Sequence, residues 1–119
     1  MQKKFDYIDS DEQLIAFSRE IASARWLAVD TEYMRERTYY AQLALVQIAS
    51  DSACALIDVP ALSRLEPLLD AFTRKDCLKI MHSASQDLEV LEQVLGAMPE
   101  PLFDTQIAAS FLGEAEQIA

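Results

Sequence analysis

Trp26-Leu27-Ala28-Val29-Asp30-Thr31-Glu32 begins as a short apolar run and ends in two carboxylates. The apolar half reads as a strand. Side chains alternate along a strand, so Asp30 and Glu32 project to the same side if the strand continues through them. Two acids crowded at the end of an apolar strand repel each other and resist losing water. A divalent metal ion between them is the usual resolution. The rest of the chain is therefore read for further ligands.

Before this strand, Phe5-Asp6-Tyr7-Ile8-Asp9 is a short strand candidate. Ser10-Asp11-Glu12-Gln13 has the pattern of a capping box. Leu14, Phe17, Ile21 and Ala24 then follow at helical spacing, which predicts a helix over 11–23. After Glu32, the segment from Met34 to Tyr40 is polar and without a period, so a loop or hairpin connection is expected. Gln42 to Ile48 is apolar on both faces, as in a central strand covered on both sides. Gln47 within it is expected to be a buried amide. Asp51-Ser52 marks a turn, and Ala53 to Val59 is the next strand. Three strands with short connections predict an antiparallel meander.

Ser63-Arg64-Leu65-Glu66 has the form of a second capping box, with Pro67 in the first turn, where its missing N–H costs little. Cys77 to Met81 is a fourth long strand. Ser83-Ala84-Ser85-Gln86 is expected to cap a helix running to Gly96, a natural stop. Leu88, Leu91, Val94 and Leu95 form its expected buried stripe, and Asp87 lies on or beside that stripe near the N-terminus. Pro101-Leu102-Phe103 is a short strand. Asp104 is the expected N-cap of a last helix through Leu112, stopped by Gly113. The order β-α-β-β-β-α-β-α-β-α predicts an α/β fold, a mixed sheet with flanking helices.

The 119 residues fit one domain, and 51% hydrophobic residues supply its core. With only 2 Gly and 4 Pro, nothing has a disordered composition. Cys54 and Cys77 lie in apolar runs and read as buried free thiols; one His and no paired Cys spacing disfavour zinc. No apolar run approaches the ~20 residues of a membrane span. The N-terminal Met1-Gln2-Lys3-Lys4-Phe5-Asp6 has no apolar secretory region. A cytoplasmic protein without a membrane partner is expected. The net charge of −10 argues against a basic nucleic-acid-binding surface but not against a nuclease, because metals bridge acidic protein and phosphate.

At this point three runs resemble a known family. "AVDTEYMRERTYYAQLALVQIAS" is similar to the first exonuclease motif of the ribonuclease D group, within the 3′–5′ exonucleases named for four acidic residues. "LKIMHSASQDLEVL" resembles their second motif, and "PLFDTQIAASFLG" the segment that follows. Ala41 stands where relatives often have Pro. The resemblance implies a ribonuclease H-like fold and hydrolysis of RNA from its 3′ end, with tRNA precursors as the typical substrate. It also implies two divalent ions, Mg²⁺ or Mn²⁺, which suit all-carboxylate sites. Asp30 would bridge both, Glu32 would hold the ion that activates water, and Asp87 would act at the second, partly through water.

The family's third motif, a Tyr four residues before a fourth Asp, has no counterpart up to Ala119. The RNA-binding domains that follow it in the family are likewise not in this sequence. The expectation is the N-terminal part of a catalytic domain, with little activity alone and with uncovered apolar surface that drives self-association. Arg35, Arg37, Tyr39 and Tyr40 are candidates for holding phosphate and stacking bases, against the simpler reading of a solvated loop with one tyrosine packed inward. His82 is given a structural or substrate-edge role. Two other readings stay open: a DNA exonuclease or proofreading domain, and a non-catalytic acidic interaction module on the same fold.

Overall fold

The computed structural model describes residues 5–35, 41–82 and 84–113. The elements, in chain order, are β1 (Asp6–Ile8), α1 (Asp11–Glu20), β2 (Trp26–Arg35), β3 (Ala41–Ala49), β4 (Cys54–Asp58), α2 (Glu66–Thr73), β5 (Leu78–Met81), α3 (Ser85–Leu95), β6 (Leu102–Asp104) and α4 (Thr105–Phe111). A single 3₁₀ turn, Val59–Ala61, follows β4. The expected order of strands and helices is the observed one.

The six strands form one sheet in the order β1-β4-β3-β2-β5-β6. β2, β3 and β4 are the predicted antiparallel meander. The β1–β4, β2–β5 and β5–β6 pairs are parallel. Three parallel crossovers, β1–α1–β2, β4–α2–β5 and β5–α3–β6, all step the same way across the sheet. Their shared right-handedness places α1, α2 and α3 on one face. Burial agrees with this placement. Leu27, Val29, Val46, Ile48, Ala55 and Ile57 face the helices and are buried. Their strand neighbours Ala28, Asp30, Gln47, Ala49, Leu56 and Ile80 are half-buried or exposed.

This one-sided cover corrects two expectations. Gln47 is exposed rather than a buried amide. Cys54 is half-buried while Cys77 is fully buried, and both are free thiols. β3 is apolar on both faces, yet only one of them packs under helices among the described residues.

β2 runs to Arg35, beyond the expected end at Glu32, so the strand does carry through both acids. A bulge lies opposite them: Glu32 pairs with Leu45 and Tyr33 with Leu43, which leaves Ala44 unmatched. Leu43 and Val46 are both buried although three residues apart. The extra residue absorbs that slip and lets both point into the core.

Helix starts divide into local and distant kinds. Ser10 makes the predicted capping box with Gln13, in both directions. The second box, at Ser63, does not form, and the cap expected from Ser83 lies outside the described residues. The N-cap of α2 is Leu65, without a side-chain cap. The Ser63 and Arg64 amides instead donate to the Asp11 carboxylate on α1, at 2.9 and 3.2 Å. α3 starts at Ser85 after an Ala84 N-cap that has no side-chain cap; the Ala84 amide donates to Asp104 at 2.7 Å. α1 ends at Glu20, three residues short of the expected end. The Arg74 guanidinium collects the carbonyls of Ile21, Ala22 and Ala24 as the chain turns away. Gly96 and Gly113 take left-handed conformations after α3 and α4, as expected from a residue without Cβ.

Candidate active site

Strand alternation sorts the D-T-E run onto two sides of β2. Asp30 and Glu32 take the open face and are exposed. Thr31 takes the helix-covered face and is only 6% exposed. Its hydroxyl donates to Asp87 Oδ1 at 2.5 Å. Asp30 also accepts the amide of Thr31 at 3.0 Å, which fixes its own rotamer. Asp87 sits in the first turn of α3 and is half-buried. The buried residues of that helix are Val90 and Leu91, with Leu88, Val94 and Leu95 only partly covered. The true stripe is therefore rotated toward Val90 from the expected one. Asp87 stands three residues before Val90 and four before Leu91, so it keeps its inward-leaning position.

The third acid thus approaches the strand from the covered face while the pair stands on the open one. Even so, the charges meet. Burial pushes the Asp87 carboxyl above the usual carboxylate range; the Thr31 hydroxyl pulls it down, and the carboxylates of Asp30, Glu32 and Asp104 raise it further. Every charge named there is negative. Such a set of hard oxygen donors is chemically matched to a divalent cation with open water positions. Among the described residues, no three His, Cys, Asp or Glu side chains are drawn together closely enough to cage one ion. The donor chemistry fits a metal, and the arrangement brings its carboxylates to one end of the sheet without closing them around a point.

The ends of β5 and β6 brace this region. Asp104 caps α4 through the Gln106 amide at 2.9 Å, as expected. Its other oxygen takes the Ala84 amide, so one carboxylate joins the starts of α3 and α4. His82 Nδ1 lies 2.8 Å from Thr105 Oγ1, and that hydroxyl also reaches the Met81 carbonyl at 3.3 Å. A shallow groove of about 480 Å³ runs over the open face past Asp30, Gln47, Ala49, Cys54, Ile80 and His82. His82 therefore stands at the edge of the groove that Asp30 lines. The Arg35 side chain, Arg37, Tyr39 and Tyr40 lie outside the described residues.

Sequence reasoning passed over Thr31, Tyr33 and Gln86. The Tyr33 hydroxyl donates to Gln86 Oε1 at 2.6 Å, again from β2 to the first turn of α3. The available signal was the alternation itself: a hydroxyl at position 31, in phase with buried Leu27 and Val29, needs a buried partner.

With this geometry in view, known proteins provide the comparison. A family model described as 3′-5′ exonuclease matches residues 5–119. The chain belongs to the 3′–5′ exonuclease family. It is 46% identical over 114 residues to a Ribonuclease D from Sphingobium indicum, covering 93% of this chain and 29% of that protein. The crystal structure of Escherichia coli RNase D superposes with a TM-score of 0.94 at 35% identity, covering 98% of this chain and 31% of that one. A Trypanosoma brucei RNase D in complex with RNA U12 matches with a TM-score of 0.76 at 25% identity, over 87% of this chain and 39% of that one. The resemblance to the ribonuclease D group holds, and the fold is the ribonuclease H-like exonuclease fold. The chain spans about 30% of the length of the curated relatives it matches.

Proposed function

We propose that this chain forms part of the catalytic domain of a metal-dependent 3′–5′ exoribonuclease. The observation that carries the proposal is the likeness to ribonuclease D over nearly the whole chain, through both segments that bear the acids. Asp30, Glu32 and Asp87 are its proposed metal ligands. When bound, a pair of Mg²⁺ or Mn²⁺ ions would supply an activated water and stabilise the leaving oxygen of the phosphodiester. Asp30, its rotamer fixed by the Thr31 amide, faces the groove and would hold both ions. Glu32, two residues on and on the same face, would share the first. Asp87 would take the second from the helix side, leaving room for water between.

The substrate proposed is the 3′ end of RNA, tRNA precursors in particular, in the cytoplasm. The RNA-bound trypanosomal RNase D supports RNA over DNA. Arg35, Arg37, Tyr39 and Tyr40 are proposed to meet the strand next to the acids, and His82 to border it. Self-association through uncovered apolar surface belongs to the same proposal.

Metal binding is the direct test. An ion at a hundredfold excess over its dissociation constant stabilises its site by about 2.7 kcal/mol. Mn²⁺ is expected to raise the melting temperature of the chain, and Asp30→Asn to abolish that rise. An equal response of both proteins to Mn²⁺ would remove Asp30 from the site. No response in either would favour a non-catalytic acidic interaction module. A parallel assay on single-stranded RNA and DNA of equal sequence, using the chain within its complete catalytic domain, separates the ribonuclease from a DNA exonuclease.

A further inference from the structure

The N-cap of α3 is Ala84, whose side chain cannot cap, and the first turn is held from two directions. Asp104 takes the amide of Ala84 just ahead of it. From β2, two hydroxyls reach it: Thr31 Oγ1 to Asp87 Oδ1 at 2.5 Å, and Tyr33 OH to Gln86 Oε1 at 2.6 Å. Both donors occupy odd positions of the strand, while the paired acids occupy even ones. Period-two alternation therefore lets one strand present two carboxylates on one face and two hydroxyls to the helix on the other.

We infer that Thr31 and Tyr33 are positioning residues, a two-hydroxyl clamp that fixes the third acid relative to the D-T-E pair. Packing alone does not ask for a hydroxyl at position 31. Valine has the same shape and is the residue two positions earlier on the same face. A buried hydroxyl must find a partner, and here the partner is the carboxylate of a proposed ligand. Held by one oxygen, Asp87 keeps a single orientation and leaves Oδ2 for a cation. This is the arrangement by which an outer hydrogen bond orients a metal ligand. The inference rests on the proposed metal site.

Calorimetric Mn²⁺ titration of the wild type, Thr31→Val and Thr31→Ser tests it. Thr31→Val removes the donor at constant shape and is expected to weaken Mn²⁺ binding roughly 10- to 100-fold. Thr31→Ser, which keeps the donor, is expected to retain near-wild-type affinity. Rescue by serine separates a hydroxyl contact from packing. Equal affinity in wild type and Thr31→Val would overturn the clamp and leave the metal site standing.

Hydrogen exchange without metal provides the second arm. Tyr33→Phe and Thr31→Val are each expected to speed amide exchange in the first turn of α3. Unchanged exchange in Tyr33→Phe overturns the clamp even if Thr31→Val fails to fold. Accelerated exchange with no Mn²⁺ binding in the wild type would uphold the helix contact but overturn its role toward a ligand, along with the metal site itself.

Discussion

Asp87 is held in a place that disfavours its charge. Burial is the larger cause, the Thr31 hydroxyl opposes it, and three neighbouring carboxylates add to it. The consequence for stability has a definite sign. A carboxyl whose folded pKa lies above its unfolded value of 3.8 binds more protons in the native state across that window. Stability therefore falls as pH rises from the unfolded pKa through the folded one, and the cost is fully present at neutral pH. Asp87→Asn removes it. Without metal at pH 7, this variant is expected to melt about 2–4 °C above the wild type, a small gain because much of the carboxyl is open to solvent. The gain should vanish below pH 4. Melting curves at pH 7 and pH 3.5 check both parts, and a variant less stable than wild type at pH 7 would contradict the argument. Saturating Mn²⁺ should reverse the order, since only the wild type then keeps the ligand. At this scale the acids were legible because two carboxylates on an apolar strand are conspicuous. Thr31 was not, because its partner stands 56 residues away and a threonine in a strand attracts no notice.

The elements show the same division between local and distant signals. The Ser10–Gln13 box was readable because both halves lie within four residues. The start of α2 was misread because the amides just ahead of it, of Ser63 and Arg64, are taken by Asp11 on another element; ahead of α3 the Ala84 amide is likewise taken by the distant Asp104. Lys79 is another case. It stands in the middle of β5, fully buried, and its ammonium donates to the carbonyls of Arg74, Cys77 and Glu100 at 2.5, 2.7 and 2.8 Å. Burial pulls its pKa down, while three short bonds to carbonyls favour the charged form. The lysine thereby ties the turn after α2 and the approach to β6 onto the strand that leads into α3. Lys79→Met keeps the length and apolar stem but strands the Cys77 and Glu100 carbonyls and leaves that of Arg74 with only the long Cys77 amide bond. Each buried unsatisfied group costs about 1–3 kcal/mol, and part of that is returned by removing a buried charge. A net loss of about 2–4 kcal/mol is expected in urea unfolding. A change under about 0.5 kcal/mol would mean that water replaces the ammonium at no cost.

For the whole molecule, the decisive property is that every parallel crossover steps the same way. Helices gather on one face, and α1 packs on α2 there. The opposite face carries the acidic pair together with Trp26, Leu56, Ile80 and Phe103, all partly open. The mixed sheet and its order of elements were legible from periodicity. The sidedness was not, because an apolar run such as 42–48 reads the same whether one face or both are covered. α4, after β6, carries exposed apolar side chains of its own. Ile107 and Phe111 are four residues apart on one side of it, 57% and 85% exposed, and Leu112 follows at 83%. Apolar area of this extent is unusual on a lone soluble domain and favours association. The chain is expected to form dimers or larger species at high concentration in sedimentation velocity. Replacing Phe111 and Leu112 together by Glu adds two charges where no buried contact is lost, so the fold should be kept while association weakens at least about tenfold, equivalent to ~1.4 kcal/mol. A wild-type chain that stays monomeric at high concentration would remove self-association from the proposal. A double variant that associates as strongly as wild type would move the contact from α4 to the open sheet, where Trp26 and Phe103 are the next side chains to change.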